Sequence, residues 1–217
     1  MRAAPIMDLV RNDPSPRTQP ADDELFEITV ESSPPTPVLA IPEPVPFIPL
    51  VAPLKTARLI MRPYVEADLV QIHRIYGDPD VMRSTGAVAA QTVDELKTHL
   101  ARRIGHQERH GFSAWAVFER DTEELVGDAG LVELEGTTEV ELSYRFRRDT
   151  WGRGYAAEVA SAWVELAFRT MGLPALRANV PKDNRAAARV LENLGMRKIS
   201  ETRTLLSYAI SREDYEA

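Results

Sequence analysis

The sequence predicts an α/β (α+β) chain with a single mixed central sheet flanked by helices. Three observations predict it. Short alternating apolar runs and longer runs of helical period follow one another through residues 54–217. The strands Phe112–Glu119, Leu125–Val132 and Glu139–Phe146 are joined by short turns, which suit antiparallel hairpins. The later part reads strand, long helix, strand, helix, strand, which is the pattern of a crossover unit on one sheet.

Each element follows from its residues. Thr56-Ala-Arg-Leu-Ile-Met-Arg62, stopped by Pro63, reads as a strand. Val65–Tyr76 reads as a helix with Leu69, Ile72, His73 and Tyr76 on one stripe and Asp68 in the first turn, where a carboxylate suits the dipole. Thr92-Val-Asp-Glu95 is a capping box, so a second helix runs from there to about Glu108. Phe112–Glu119, Leu125–Val132 and Glu139–Phe146 alternate as strands, the first two joined by Arg120-Asp-Thr-Glu. A long helix spans Gly154–Met171, burying Val159, Trp163, Leu166 and Phe168, and stops at Gly172 and Pro174. Ala175–Val180 is a strand, Asn184–Leu194 a helix closed by Gly195, and Thr202–Ile210 a last strand.

Residues 1–53 obey a different chemistry. They hold twelve of the sixteen prolines, eight acidic and three basic residues, and no glycine. Such a segment is expected to be extended or disordered, with Leu25-Phe-Glu-Ile-Thr-Val30 its one alternating patch. The expected organisation is an acidic, Pro-rich arm over 1–53 and a folded domain over 54–217. Neither a signal-peptide core nor a spanning helix is expected, because prolines 42, 44, 46, 49 and 53 interrupt the apolar stretch Val38–Leu54. A soluble, cytoplasmic chain without membrane partners is the expectation. The net charge of −7 disfavours direct nucleic-acid binding, and the absence of cysteine excludes disulfides and thiolate chemistry.

The strongest local signal is Arg148-Asp-Thr-Trp-Gly-Arg-Gly-Tyr-Ala-Ala-Glu158, a strand-to-helix junction. Gly152 and Gly154 permit a sharp turn and close approach of a ligand. The first amides of the helix are free, and Arg153 adds charge, which is how a phosphate or pyrophosphate is held. The spacing is neither a Walker A nor a full G-x-G-x-x-G, and a plain tight turn accounts for the same residues. His106-Gln-Glu-Arg-His110 sets two histidines at i, i+4, but Glu108 stands at +2, so the H-E-x-x-H arrangement is absent. A solvated helix end is the expectation there, and no metal is expected. His73, Trp163 and Phe168 read as packing residues, and Arg102-Arg103 as a solvated face.

Residues 54 to about 215 resemble the GNAT superfamily of acyl-CoA-dependent N-acyltransferases, and within it the ribosomal-protein N-terminal acetyltransferase (RimJ/RimL) branch. Five segments carry the resemblance in order: Thr56–Pro63, Gly77-Asp-Pro-Asp-Val-Met82, Glu141-Leu-Ser-Tyr144, Trp151-Gly-Arg-Gly-Tyr-Ala-Ala-Glu158, and Asn184–Met196. The resemblance implies the GNAT fold with a splayed central strand, and acetyl-CoA as co-substrate. It implies backbone amides of Gly152, Arg153, Gly154, Tyr155 and Ala156 around a pyrophosphate. It also implies main chain of Leu142, Ser143, Tyr144, Arg145 and Phe146 along a pantetheine arm, with Asn184 beside it. Three positions depart from the pattern. Trp151 stands for the superfamily's Gln or Arg, Ala187 for the branch's frequent Ser, and Leu191 for a tyrosine general acid.

The implied reaction is direct attack of a primary amine on the thioester. A protein or peptide N-terminus is the leading acceptor and a small-molecule amine the next. An α-amino group, with pKa about 8 against about 10.4 for Lys, needs less help to become neutral. Glu141 is the leading general base and Glu139 the second, although both also read as sheet-surface carboxylates. Ser143 is a candidate donor to the thiolate, or a plain strand serine. The loop Asp80–Gln91 and residues Gly136–Thr138 are expected to shape the acceptor pocket. The alternative is an acyl-CoA-binding regulatory or interaction module with little turnover, motivated by Leu191 and the arm. A monomer or homodimer is expected.

Overall fold

The computed structural model describes residues 50, 53–87, 89–134 and 137–217. The expectations for the arm fall outside those residues, except that Leu50 packs against the core. Gly136, assigned to the acceptor pocket above, is also outside them.

The described residues form one eight-stranded mixed sheet, in the order β1-β2-β3-β4-β5-β6-β8-β7. Its strands are β1 Leu54–Lys55, β2 Leu59–Arg62, β3 Ala114–Glu119, β4 Leu125–Glu133, β5 Val140–Phe146, β6 Ala175–Pro181, β7 Arg197–Glu201 and β8 Leu205–Ser211. The helices are α1 Leu69–Tyr76, α2 Pro79–Ser84, α3 Val93–His110, α4 Tyr155–Glu165, α5 Arg185–Asn193 and α6 Arg212–Glu216. Every pairing is antiparallel except β5–β6. A parallel neighbour needs a long crossover, and α4 supplies it. This is the mixed, helix-flanked sheet that the residues predict.

Alternation along the strands sends apolar side chains to two clusters. Leu59, Met61, Trp115, Val117, Leu142 and Phe146 join Val159 and Trp163 of α4 and Leu191 of α5. Ala116 and Leu125 join Ile72, Ile75 and Tyr76 of α1 and Leu96 and Leu100 of α3. Trp115 meets Trp163 edge to face, with ring centroids 5.1 Å apart. Such a pair adds roughly 0.5–1.5 kcal/mol beyond its area burial.

The predicted caps are in place. Thr92 Oγ1 accepts the Glu95 amide and the Glu95 carboxylate accepts the Thr92 amide. The α4 segment continues through a π-helical turn, Leu166–Thr170, before Gly172 ends it at φ 69°. Several details differ from the sequence reading, among them Leu166, which is half-buried, and the last strand, which begins at Leu205. The buried stripe of α1 is Ile72, Ile75 and Tyr76, with Leu69 and His73 half-buried at its margin. Strand β7 was not predicted because all five of its residues are exposed, and an edge strand without a buried face carries no alternation. Helix α2 does carry a signal: Asp78 caps it with Pro79 at the first position.

Candidate active site

The sheet opens in one place. Strand β5 is paired with β4 along its whole length, from Val140 to Phe146. Towards β6 it shares the single register pair Glu141↔Arg177, while β6 stays with β8 from Ala175 to Pro181. Past Glu141, β5 and β6 therefore separate, and the β6-facing edge of β5 has no strand on it. A cavity of about 510 Å³ occupies the gap. Leu142 through Phe146 line one wall, Ala178 through Pro181 the other, and Ala187, Val190 and Leu191 the floor. Unpaired strand edges accept extended amide-bearing ligands by main-chain hydrogen bonds.

At the far end of β5 the cavity meets the loop into α4. Gly152 and Gly154 take φ 77° and 79°, in the left-handed region that side chains resist. A Cβ on Gly152 would meet nothing within 4 Å, so the space over it is open to a ligand. Among the described residues, the amides of Gly152 through Ala157 make no hydrogen bond within the chain. They stand at the positive end of α4, which makes an anion cradle. These residues fit the pantetheine–pyrophosphate portion of an acyl-CoA: an edge for amides leads to a nest for phosphates.

The loop is held from behind by residues that the sequence reading did not single out. Arg58 donates from Nε to Glu158 Oε2 at 2.7 Å and from Nη1 to the Arg153 carbonyl at 2.8 Å. Glu158 also accepts the Thr56 hydroxyl at 2.6 Å and the Arg58 amide at 2.8 Å. Burial pushes the Glu158 carboxyl up, but these bonds outweigh it and hold the group below the ordinary range. The signal was there in part: Thr56-Ala-Arg58 and Glu158 lie in two of the quoted segments.

Several predicted residues are placed differently from their expected use. The Arg153 guanidinium pairs with Glu119, 3.0 Å away, and Arg153 is not among the residues lining the cavity. Asn184 borders the cavity, but its Oδ1 caps α5 at the Ala187 amide (3.0 Å) and its Nδ2 donates to the Ser84 carbonyl (2.8 Å). It ties α2 to α5 and so shapes the cavity's rim. The Tyr155 ring is buried, and its hydroxyl bonds Glu119. Trp151 donates from Nε1 to the Phe146 carbonyl at 2.9 Å and leaves its ring half exposed at the mouth.

Of the two carboxylates proposed as bases, Glu141 lines the cavity with Ser143. Glu139 does not, and it pairs with Arg177 at 2.6 Å. Glu141 sits where the strands part, and its Oε1 accepts the Asn179 amide that β5 no longer reaches, at 3.3 Å. Burial pushes its carboxyl above the usual range, against the opposing pull of Asn179. Leu191 is fully buried at the cavity floor, so no hydroxyl stands there.

Behind β5, on the face towards α1 and α3, lies a polar cluster with no sequence signature. Asp128 of β4 is completely buried. Its Oδ2 accepts the hydroxyls of Tyr64, at 3.2 Å, and of Tyr76. The Arg145 Nε lies 3.2 Å from Oδ1, outside hydrogen-bond alignment, and its guanidinium covers the Tyr76 ring at 4.4 Å. His99 and Arg103 close the cluster from α3, with Arg103 Nε donating to His99 Nε2 at 3.2 Å. Burial, then the neighbouring Arg103, pushes His99 down to about 4, so its ring is neutral. Arg102-Arg103 is thus only partly the solvated face it suggested: Arg102 is exposed, while Arg103 turns inward.

Comparison with known proteins bears on the same region. The family described as acetyltransferase (GNAT) domain matches residues 58–197. The chain is 31% identical over 147 residues to the protein named uncharacterized N-acetyltransferase YoaA of Bacillus subtilis (strain 168), covering 67% of this chain and 82% of that one. The fold is similar to that of an acetyltransferase from Agrobacterium tumefaciens str. C58, with a TM-score of 0.65, 26% identity, and coverage of 74% and 94%. It is also similar to the ribosomal-protein-S5-alanine acetyltransferase from Vibrio fischeri, with a TM-score of 0.61, 14% identity, and coverage of 76% and 98%.

Proposed function

The chain belongs to the acetyltransferase (GNAT) family, and on that premise we propose that it is an acetyl-CoA-dependent N-acetyltransferase acting on a primary amine. The observation that carries the reading is the continuity of the free β5 edge with the amide cradle of Gly152–Ala156. Acetyl-CoA supplies the thioester: the amine nitrogen bonds to its carbonyl carbon, the C–S bond breaks, and the thiolate leaves. The main chain of Leu142–Phe146 holds the extended arm, and the cradle holds the phosphates. Glu141 takes the proton that the attacking nitrogen sheds, and Ser143 faces the leaving sulfur.

A protein or peptide N-terminus is the leading acceptor, ahead of a small-molecule amine. The lower α-amino pKa supports it, as do the segments that resemble the RimJ/RimL branch and the shared fold with an enzyme named for a ribosomal-protein acceptor. Among the described residues no helix is long and apolar enough to cross a membrane. In this reading residues 54–217 are the catalytic domain and 1–53 an appended arm. Removing residues 1–49 is expected to leave acetyl-CoA affinity unchanged by calorimetry. A large loss would make the arm part of the site.

The test is calorimetric titration of acetyl-CoA into the full chain, followed by CoA release with peptides blocked or free at the N-terminus. Saturable micromolar binding and turnover of free N-termini are expected. Gly154→Val should weaken binding at least about tenfold, because the left-handed backbone costs an ordinary residue roughly 1–2 kcal/mol and the loop must leave its place to relieve it. Undiminished affinity in a folded Gly154→Val chain overturns the cradle assignment. Binding without turnover of any amine would identify the regulatory module that Leu191 favours.

A further inference from the structure

The last turn of α3 and the end of β4 meet away from the acyl-CoA cavity, and their contact brings together three side chains that sequence spacing leaves apart. His106 and His110 stack, with ring centroids 4.4 Å apart and 26° between planes, as i, i+4 residues on one helix face can. Glu133 reaches the same point from β4, with His110 Nδ1 3.5 Å from Glu133 Oε2. One ligand atom from each of the three lies within 4.8 Å of the others. We propose that His106, His110 and Glu133 form a binding site for one divalent transition metal ion of the zinc class.

The second coordination layer is already in place. His106 Nδ1 lies 2.7 Å from the Phe112 carbonyl, an acceptor, so Nδ1 carries the hydrogen and Nε2 keeps its lone pair. That Nε2 is buried and has no partner among the described residues, an arrangement that costs free energy unless something binds it. The Phe112 ring lies edge-on to both imidazoles, with centroids 5.2 and 6.2 Å away, and shields the site on that side. His110 and Glu133 keep 36% and 35% of their side-chain surface, which leaves an entry path and room for water ligands.

Two imidazoles and one carboxylate are the donor set that borderline ions such as Zn²⁺ and Co²⁺ take, where Mg²⁺ and Ca²⁺ prefer oxygen. Tetrahedral ligands stand ~3.3 Å apart, so closure needs side-chain rotation of about an ångström, which the half-exposed Glu133 allows. The bound ion would tie the C-terminal turn of α3 to β4. Helix α3 carries His99 and Arg103 behind β5, so the clip steadies the layer that backs the candidate active site. The H-x-x-x-H spacing lacked a third ligand in sequence, and the fold supplies it from 23 residues beyond His110.

The test uses the untagged full chain, whose only other histidines are His73 and His99. Titration with CoCl₂, followed by visible absorption, is expected to saturate at one ion per chain, and ZnCl₂ should displace it. ZnCl₂ should also raise Tm by mass action. His110→Ala and Glu133→Gln, both half-exposed positions, should each weaken Co²⁺ at least about tenfold, with His73→Gln unchanged. Acetyl-CoA titration of the same variants verifies that they are folded. Absence of saturable uptake at micromolar metal overturns the proposal, as does uptake that survives in both His110→Ala and Glu133→Gln.

Discussion

Glu141→Gln is expected to lower kcat by about 10²–10³-fold while leaving acetyl-CoA affinity unchanged. Glutamine keeps a carbonyl oxygen where Glu141 accepts the Asn179 amide, so the bracket between β5 and β6 survives and only the proton acceptor is lost. The pH dependence carries a second readout. Burial raises the Glu141 carboxyl, and a base works only when deprotonated, so the wild-type rate falls as pH drops through that raised value. In Glu141→Gln this acid limb disappears. Stability should move the other way. A carboxyl that binds its proton more tightly folded than unfolded favours the fold at acid pH, and that contribution is lost as pH rises through the folded-state value. At neutral pH the buried charge opposes folding, so Glu141→Gln should not lower Tm. A kcat equal to wild type across pH would reduce Glu141 to a strand bracket.

Asp128→Ala is expected to cost about 3–5 kcal/mol of folding stability, read from urea denaturation midpoints. The reason is asymmetric. The carboxylate is fully buried, and its removal leaves the largely buried Arg145 guanidinium and two tyrosine hydroxyls without their partner. Arg145 is itself one of the β5 residues lining the cavity, so its release should also blur the strand edge and weaken acetyl-CoA binding. Asp128→Asn keeps an acceptor for the tyrosines and should cost less. If Asp128→Ala unfolds at the wild-type midpoint, the cluster does not hold β5.

How far the sequence reads into the site depends on how local each feature is. The Gly152-Arg-Gly154 turn, the capping box at Thr92 and the length of the long helix were legible because each depends on residues within one or two turns of chain. Backbone sterics and orphan amides act at that range. The ion pair of Arg153 is not legible for the opposite reason: its partner Glu119 is 34 positions away, beyond the reach of the loop's local chemistry. Asn184 shows the same limit, because its amide is engaged by Ser84, 100 residues upstream.

The order of the main strands and helices and the tight turn into α4 were written in periodicity and in glycine placement, whereas the all-exposed edge strand β7 was not. Three decisions belong to the tertiary structure. One is the parting of β5 from β6 after Glu141, which turns an ordinary strand into a ligand edge. Another is the burial of Asp128 under tyrosines 64 and 52 positions away in the chain. The third is the arrival of Glu133 beside His106 and His110. In each case the deciding interaction joins residues distant in sequence. What brings these residues together is the burial of apolar surface between the packed layers, a property of the assembled core that no window of residues contains.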